Sequence, residues 1–181
     1  LIVVICGLPG VGKSLVAETL SKRLKKSVYI NSDVVRKSLF GLSPYERVKP
    51  ELVPIVYGRE TSERVYEEII NKAIKEAKLG KVVILDATFN RKRYQEKLIE
   101  ASQKENIPVK FYLLVASDET IRTRLKIRER SKTASDANYE TYKIMKESFE
   151  KPNDCDIIDT EKFNLEEILK KIIREVSYEI E

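Results

Sequence analysis

A three-layer α/β domain, with a five-stranded parallel sheet covered by helices on both faces, is predicted by two observations. Short apolar runs alternate with amphipathic segments along all 181 residues, and the first apolar run leads into a glycine-rich turn. Leu1–Cys6 is continuously apolar, as a strand buried on both faces must be. Gly7–Gly12 is the turn, and Lys13 to Leu24 carries Val16, Leu20 and Leu24 on one helical face. Ser27–Ile30 reads as a second strand and Asp33–Phe40 as a short helix. Gly41–Gly58, with Pro44, Pro50 and Pro54, reads as an irregular loop, and a loop of that length in a compact domain is usually functional.

Glu60–Leu79 places Val65, Ile69, Ala73 and Ala77 at a spacing of four, and Gly80 suits the helix end. Lys81–Asp86 and Val109–Ala116 are the next strands, with a helix over Arg91–Glu105 between them. Helices are expected over Asp118–Arg130 and Ser135–Phe149, separated by a polar break at Ser131–Ala134. Asp156–Asp159 closes the sheet and Asn164–Val176 is the last helix. No repeat or linker interrupts the pattern, so residues 1–181 read as one domain. Its ligand is expected at the carboxyl ends of the strands.

Composition excludes several functions. Without histidine there is no Ser-His-Asp triad, no Cys-His dyad and no histidine-ligated metal. Cys6 and Cys155 cannot build a cysteine-rich zinc site, and no apolar run approaches the roughly 20 residues of a membrane span. Leu1–Cys6 is too short for a signal peptide, so a reducing, cytoplasmic compartment is expected. The net charge of +5 suits an anionic ligand without requiring nucleic acid.

The chemistry is concentrated in Gly7-Leu8-Pro9-Gly10-Val11-Gly12-Lys13-Ser14, which matches the phosphate-loop pattern G-x-x-x-x-G-K-[ST] at every position. Glycines let the chain wrap a phosphate with its N–H groups pointing inward, and the following helix aims its positive end at the same anion. Lys13 can bridge the β- and γ-phosphates, and Ser14 can ligate Mg²⁺. Gly7 to Leu15 is therefore the expected ATP-binding segment. Asp86 ends an apolar strand and reads as the carboxylate that organises Mg²⁺ through a water.

Asp33 follows the second strand, at the same rim. It reads equally as a general base for an acceptor hydroxyl and as a helix N-cap, a role Ser32 also suits. Arg36, one turn on, can face the same cleft and hold an anionic acceptor. Thr88 and Asn90 are candidate acceptor contacts or ordinary turn residues, and Tyr45 and Tyr57 can line the acceptor pocket from the proline-rich loop. Residues 122–132 hold Arg122, Arg124, Lys126, Arg128, Arg130 and Lys132 against the single acid Glu129. Beside the polar break, such a cluster reads as a lid, about residues 128–136, that brings arginines over the γ-phosphate. It contains no aromatic residue, so no stacking platform for single-stranded nucleic acid is expected there.

Together these segments resemble the small P-loop kinases that include the kinase domain of polynucleotide 5′-kinases, zeta toxins and chloramphenicol phosphotransferase. The uncharacterised kinases of that group, with an AAA-type ATP-binding domain, are the nearest in pattern. The resemblance is carried by Gly7–Ser14, by Ser32-Asp33-Val34-Val35-Arg36-Lys37, by Gly80–Phe89 with Leu85-Asp86-Ala87-Thr88-Phe89, and by Arg122-x-Arg124-Leu125-x-x-Arg128 followed by Ala134-Ser135-Asp136-Ala137. It runs from Leu1 to about Glu150.

It implies a P-loop NTPase fold of the nucleotide-kinase type and an ATP- and Mg²⁺-dependent transfer of phosphate to a hydroxyl. Lys13 and Ser14 would bind phosphate and Mg²⁺, Asp33 would be the general base and Arg36 an acceptor contact. Arg124 and Arg128 would be the lid arginines, and Thr160 would lie near the adenine. The loop Gly41–Gly58 matches no acceptor site of that group. A small-molecule acceptor and a polynucleotide 5′-hydroxyl therefore both stay open, with the compact size favouring the former. A P-loop ATPase or a nucleotide-binding module without an acceptor is the alternative class. The Asn-Lys-x-Asp guanine signature is absent, since Asn71-Lys72 runs into Ala73-Ile74, and with only Gln95 and Gln103 in the chain no glutamine is obviously positioned to activate a water.

Overall fold

The computed structural model describes residues 1–131 and 133–180, the side chain of Ile180 excepted; Lys132 of the basic cluster lies outside the described residues. Five strands, β1 (Ile2–Cys6), β2 (Ser27–Asn31), β3 (Val82–Asp86), β4 (Val109–Val115) and β5 (Asp156–Asp159), form one sheet in the order β2-β3-β1-β4-β5. All four pairings are parallel. The chain therefore leaves β3 on one side of β1 and returns as β4 on the other. That reversal opens a crevice at the carboxyl end of β1, where the phosphate loop lies.

Alternation along the strands separates two cores. Ile2, Val4, Val83 and Leu85 face α4 (Arg59–Lys78) and α5 (Lys92–Lys104), meeting Val65, Ile69, Tyr94 and Leu98. Val3, Ile5 and Ile84 face the other way, toward α1 (Lys13–Arg23), α6 (Asp118–Glu129) and α8 (Leu165–Ile180). There they meet Ala17, Leu20, Leu125 and Ile172. β1 is fully buried along its whole length. Such a strand leaves no polar alternation in the sequence, as expected for a central parallel strand.

Three expected boundaries move. The helix α7 spans Tyr139–Glu147 and does not start at Ser135, because Asn138 accepts the Thr141 N–H at 2.9 Å and fixes the start there. The loop 41–58 contains a turn of 3₁₀ helix at Pro50–Leu52 and a short α3 at Val53–Val56. The helix α8 continues to Ile180, beyond the expected Val176. Among the described residues, no helix is long and apolar enough to cross a membrane.

Candidate active site

Gly7 begins the phosphate loop at φ 134°, and a Cβ there would sit 2.5 Å from the carbonyl oxygen of Leu114. Backbone, not a flexible side chain, occupies that space, so only glycine fits. The loop ends at Gly12, and the first turn of α1 has no side-chain cap, leaving its N–H groups available to an anion. The Lys13 ammonium folds back onto the carbonyl of Leu8 at 3.0 Å. Burial pulls its pKa down, and the negative charge of Asp86 opposes that shift.

Asp86, at the end of β3, is 3% exposed and gathers three donors on one carboxylate oxygen. The Ser14 and Tyr29 hydroxyls each lie 2.7 Å away and Asn31 Nδ2 lies at 2.9 Å. The pairing of Asn31 with Asp86 across β2 and β3 makes this convergence possible. Tyr29 and Asn31 are site residues that sequence reasoning missed, because their role depends on which strand lies beside β2.

Asn31 also settles the reading of Asp33. Its Oδ1 accepts the N–H groups of Asp33 and Val34 at 2.8 and 3.2 Å, so Asn31 caps α2 (Ser32–Ser38) and neither Ser32 nor Asp33 does. The Asp33 carboxyl is left to face the cleft, where it lines the same cavity as Lys13, Ser14 and Asp86. Burial pushes its pKa up, and the guanidinium of Arg36 counteracts this in part.

That cavity, of about 550 Å³, also takes in Pro9, Arg36, Thr88, Asn90 and Arg128. Arg36 donates to Val56 O and Ser62 Oγ, each at 3.0 Å, and its guanidinium lies 5.2 Å from the centre of the Tyr57 ring. Tyr57 lines the cavity, whereas Tyr45 is exposed and outside it. Thr88 is held by the Tyr66 hydroxyl at 3.1 Å, and Tyr66 stacks on Tyr94 with ring centres 3.8 Å apart. Phe89 takes φ 44°, an uncommon backbone state for a side chain of its size. Gln95 fixes it by donating to its carbonyl at 2.8 Å.

The two lid arginines part company. Arg128 lines the cavity, and burial lowers its pKa while Asp33 and Asp86 oppose that shift. Arg124 is not among the lining residues. It donates to the carbonyls of Gly10 and Val11 and to Thr160 Oγ1 at 2.8 Å, and Thr160 itself donates to Val11 O at 3.0 Å. Arg124, expected over the γ-phosphate, here ties the phosphate loop to the segment after β5. Leu15 is exposed and also outside the cavity. Cys6 is buried, its thiol pushed up to about 12, so it is unreactive.

A bridge from loop to lid was likewise not foreseen. Asp136 receives Lys37 Nζ at 3.2 Å, Tyr57 OH at 2.6 Å and Arg47 Nη1 at 3.4 Å, and Lys37 is fully buried. Arg47 also donates to the carbonyls of Arg128, Ser131 and Ser135. The segment that carries Arg128 is therefore fastened to loop 41–58 by side chains more than 75 residues away.

The strand order, with a phosphate loop after β1 and a buried acid ending β3, gives an α/β fold shared with solved structures that include kinases. A family model described as an AAA domain matches residues 2–152, and the chain belongs to that family. Comparison with curated proteins gives no match. The structure is similar to that of APE1195, at 21% identity and a TM-score of 0.75, covering 100% of this chain and 97% of the other. It is also similar to the Mycobacterium tuberculosis APS kinase CysC in complex with AMPPNP and APS, at 14% identity and a TM-score of 0.72, covering 97% and 96% of the two chains. A third likeness is to Chaetomium thermophilum Kti12 in complex with ADP-AlF3, at 16% identity and a TM-score of 0.69, covering 96% and 98%.

Proposed function

We propose that the protein is an ATP-dependent kinase that transfers the γ-phosphate to a hydroxyl of a small-molecule acceptor. The observation that carries this reading is the presence of Asp33 in one cavity with Lys13, Ser14, Asp86 and Arg128. A pure ATPase has no use for a second, raised-pKa carboxyl in that place, whereas a kinase needs a base where the acceptor enters. Asp33 takes the hydroxyl proton as the acceptor oxygen bonds to the γ-phosphorus. The bond from that phosphorus to the β–γ bridging oxygen breaks, and ADP leaves with its electron pair. Lys13 and Arg128 supply positive charge to the phosphoryl oxygens, and Arg36, Thr88 and Asn90 supply acceptor contacts. Arg124 and Thr160 border the loop on the side where the nucleoside would lie.

The oxygens of Ser14 and Asp86 stand 2.7 Å apart beside the phosphate loop, which suits Mg²⁺. That ion keeps most of its waters and takes few protein oxygens. Ser14 would hold it directly and Asp86 through water, and when bound it draws charge from the β- and γ-phosphates. Labelled ATP offered with a panel of hydroxyl compounds, oligonucleotides included, tests the reading. Label should appear on a small alcohol. Label found only in inorganic phosphate across the panel would refute the transfer.

A further inference from the structure

Besides Asp33 and Arg128, the cavity is lined by four further arginines, Arg36, Arg59, Arg91 and Arg93. We propose that these arginines form an anion subsite, and that the acceptor is a small alcohol carrying a phosphate or carboxylate group of its own. The inference rests on the kinase reading and narrows its acceptor.

Two helices begin beside the cavity with basic residues. The first residue of α4 is Arg59 and that of α5 is Lys92, and neither helix has a side-chain N-cap hydrogen bond. A helix N-terminus favours anions. Yet α5 has no acid in its first turn, and Lys92 and Arg93 occupy it instead. In α4, Glu60 offsets Arg59 only in part. The Lys92 N–H reaches the Glu150 carboxylate at 3.4 Å, but Arg59, Arg91 and Arg93 line one cavity together and repel one another until an anion enters.

Arg36 gives the second, independent observation. It is only 8% exposed, and Nη1 is satisfied by Val56 O and Ser62 Oγ. Its Nε is buried and has no hydrogen-bond partner among the described residues. A charged donor left unmade inside a cavity calls for an acceptor atom from a ligand. The protein's own acids fill the role only in part, Asp33 being one acid that shares the cavity with Arg36. Asp136 is occupied by Lys37, Arg47 and Tyr57. Glu150 reaches Arg91 only at 3.9 Å, and Glu63 takes Arg93 Nε at 2.7 Å. Arg59 makes no ion pair among the described residues. The cavity volume of about 550 Å³ suits a small molecule.

The test fills the phosphate loop with AMPPNP and then titrates inorganic phosphate, glycerol, glycerol 3-phosphate, glycerate and a 5′-hydroxyl oligonucleotide, following binding by calorimetry and thermal protection. The charged small molecules should bind at least about tenfold more tightly than glycerol. In Arg91→Ala/Arg93→Ala that preference should fall toward one while AMPPNP affinity stays within about twofold; Arg91→Lys/Arg93→Lys should restore part of it. Equal binding of glycerol and its charged relatives, no binding by any probe, or binding by the oligonucleotide alone would overturn the proposal. Anionic probes that bind without ever receiving label from ATP would leave the subsite standing and count against the kinase reading instead.

Discussion

At Lys13, the charge faces the phosphate loop and not the core, so its loss should affect nucleotide and leave the fold intact. Lys13→Ala is expected to abolish phosphoryl transfer without lowering the thermal midpoint; unchanged turnover would dismiss the assigned site. Gly7 makes the opposite prediction. Gly7→Ala forces a Cβ against Leu114 O at a positive φ, and the backbone strain alone costs about 1–3 kcal/mol. Denaturant unfolding should register that loss, together with weaker nucleotide binding.

Asp33 has a pH signature. Its pKa is raised in the folded protein, so the base becomes available only as pH rises through that value. The acid limb of kcat/KM should therefore lie above the ordinary aspartate value of about 3.9. The stability effect runs the other way. Between the unfolded and the raised folded pKa the native state binds more protons, so stability declines as pH rises through that window. Asp33→Asn should accordingly melt higher than the wild type at neutral pH, with the advantage gone below about pH 4. A wild type that melts as high as the variant at neutral pH would contradict the buried charge. Lys13 is legible in sequence through the phosphate-loop pattern, and Asp33 and Asp86 because each lies at or just after a strand end. Asn31 and Tyr29 are not, since their partner Asp86 is 55 and 57 positions away.

Among the elements, the segment expected to form a lid was readable as a basic stretch, but its contacts were not. Arg124 and Arg128 are one turn apart on α6, yet only Arg128 lines the cavity. A spacing of four puts two residues on one face, but it does not say which of them reaches a given point along the axis. The role of Arg47 was hidden for another reason: it acts through carbonyls of Arg128, Ser131 and Ser135, and backbone acceptors leave no mark in a sequence. The start of α7 at Tyr139 rests on the Asn138 cap, and Asp136 just before it is tied to Lys37 and Tyr57, partners equally remote in sequence.

Two predictions belong at this scale. Arg47→Ala should lower kcat while ATP affinity stays within about twofold, because Arg47 holds the lid and is not among the residues lining the cavity; an equal change in both would reduce it to a general structural residue. Asp136→Ala should be costlier, since Lys37 is fully buried and keeps only Pro44 O at 3.3 Å. A buried charge stripped of its counter-ion typically costs about 3–5 kcal/mol, which chemical denaturation would measure.

For the whole molecule, fold class was the most legible property. Continuous apolar strands separated by helical periodicity permit few arrangements other than a parallel sheet with helices on both faces. Strand order was not legible, because β3 inserts between β1 and β2 through hydrogen bonds that any apolar strand could make. The acceptor chemistry was least legible of all. It depends on side chains from α2, α4 and α5 meeting in one cavity, and nothing in their sequence separation announces that. Kinase and ATPase differ, in the end, by where the γ-phosphate goes. The most direct measurement is ATP affinity beside label transfer to a hydroxyl acceptor, in the wild type and in Asp33→Asn. The account predicts label on the acceptor in the wild type, and in the variant a transfer rate about 10²–10⁴-fold lower with affinity nearly unchanged. Full transfer by Asp33→Asn would contradict it.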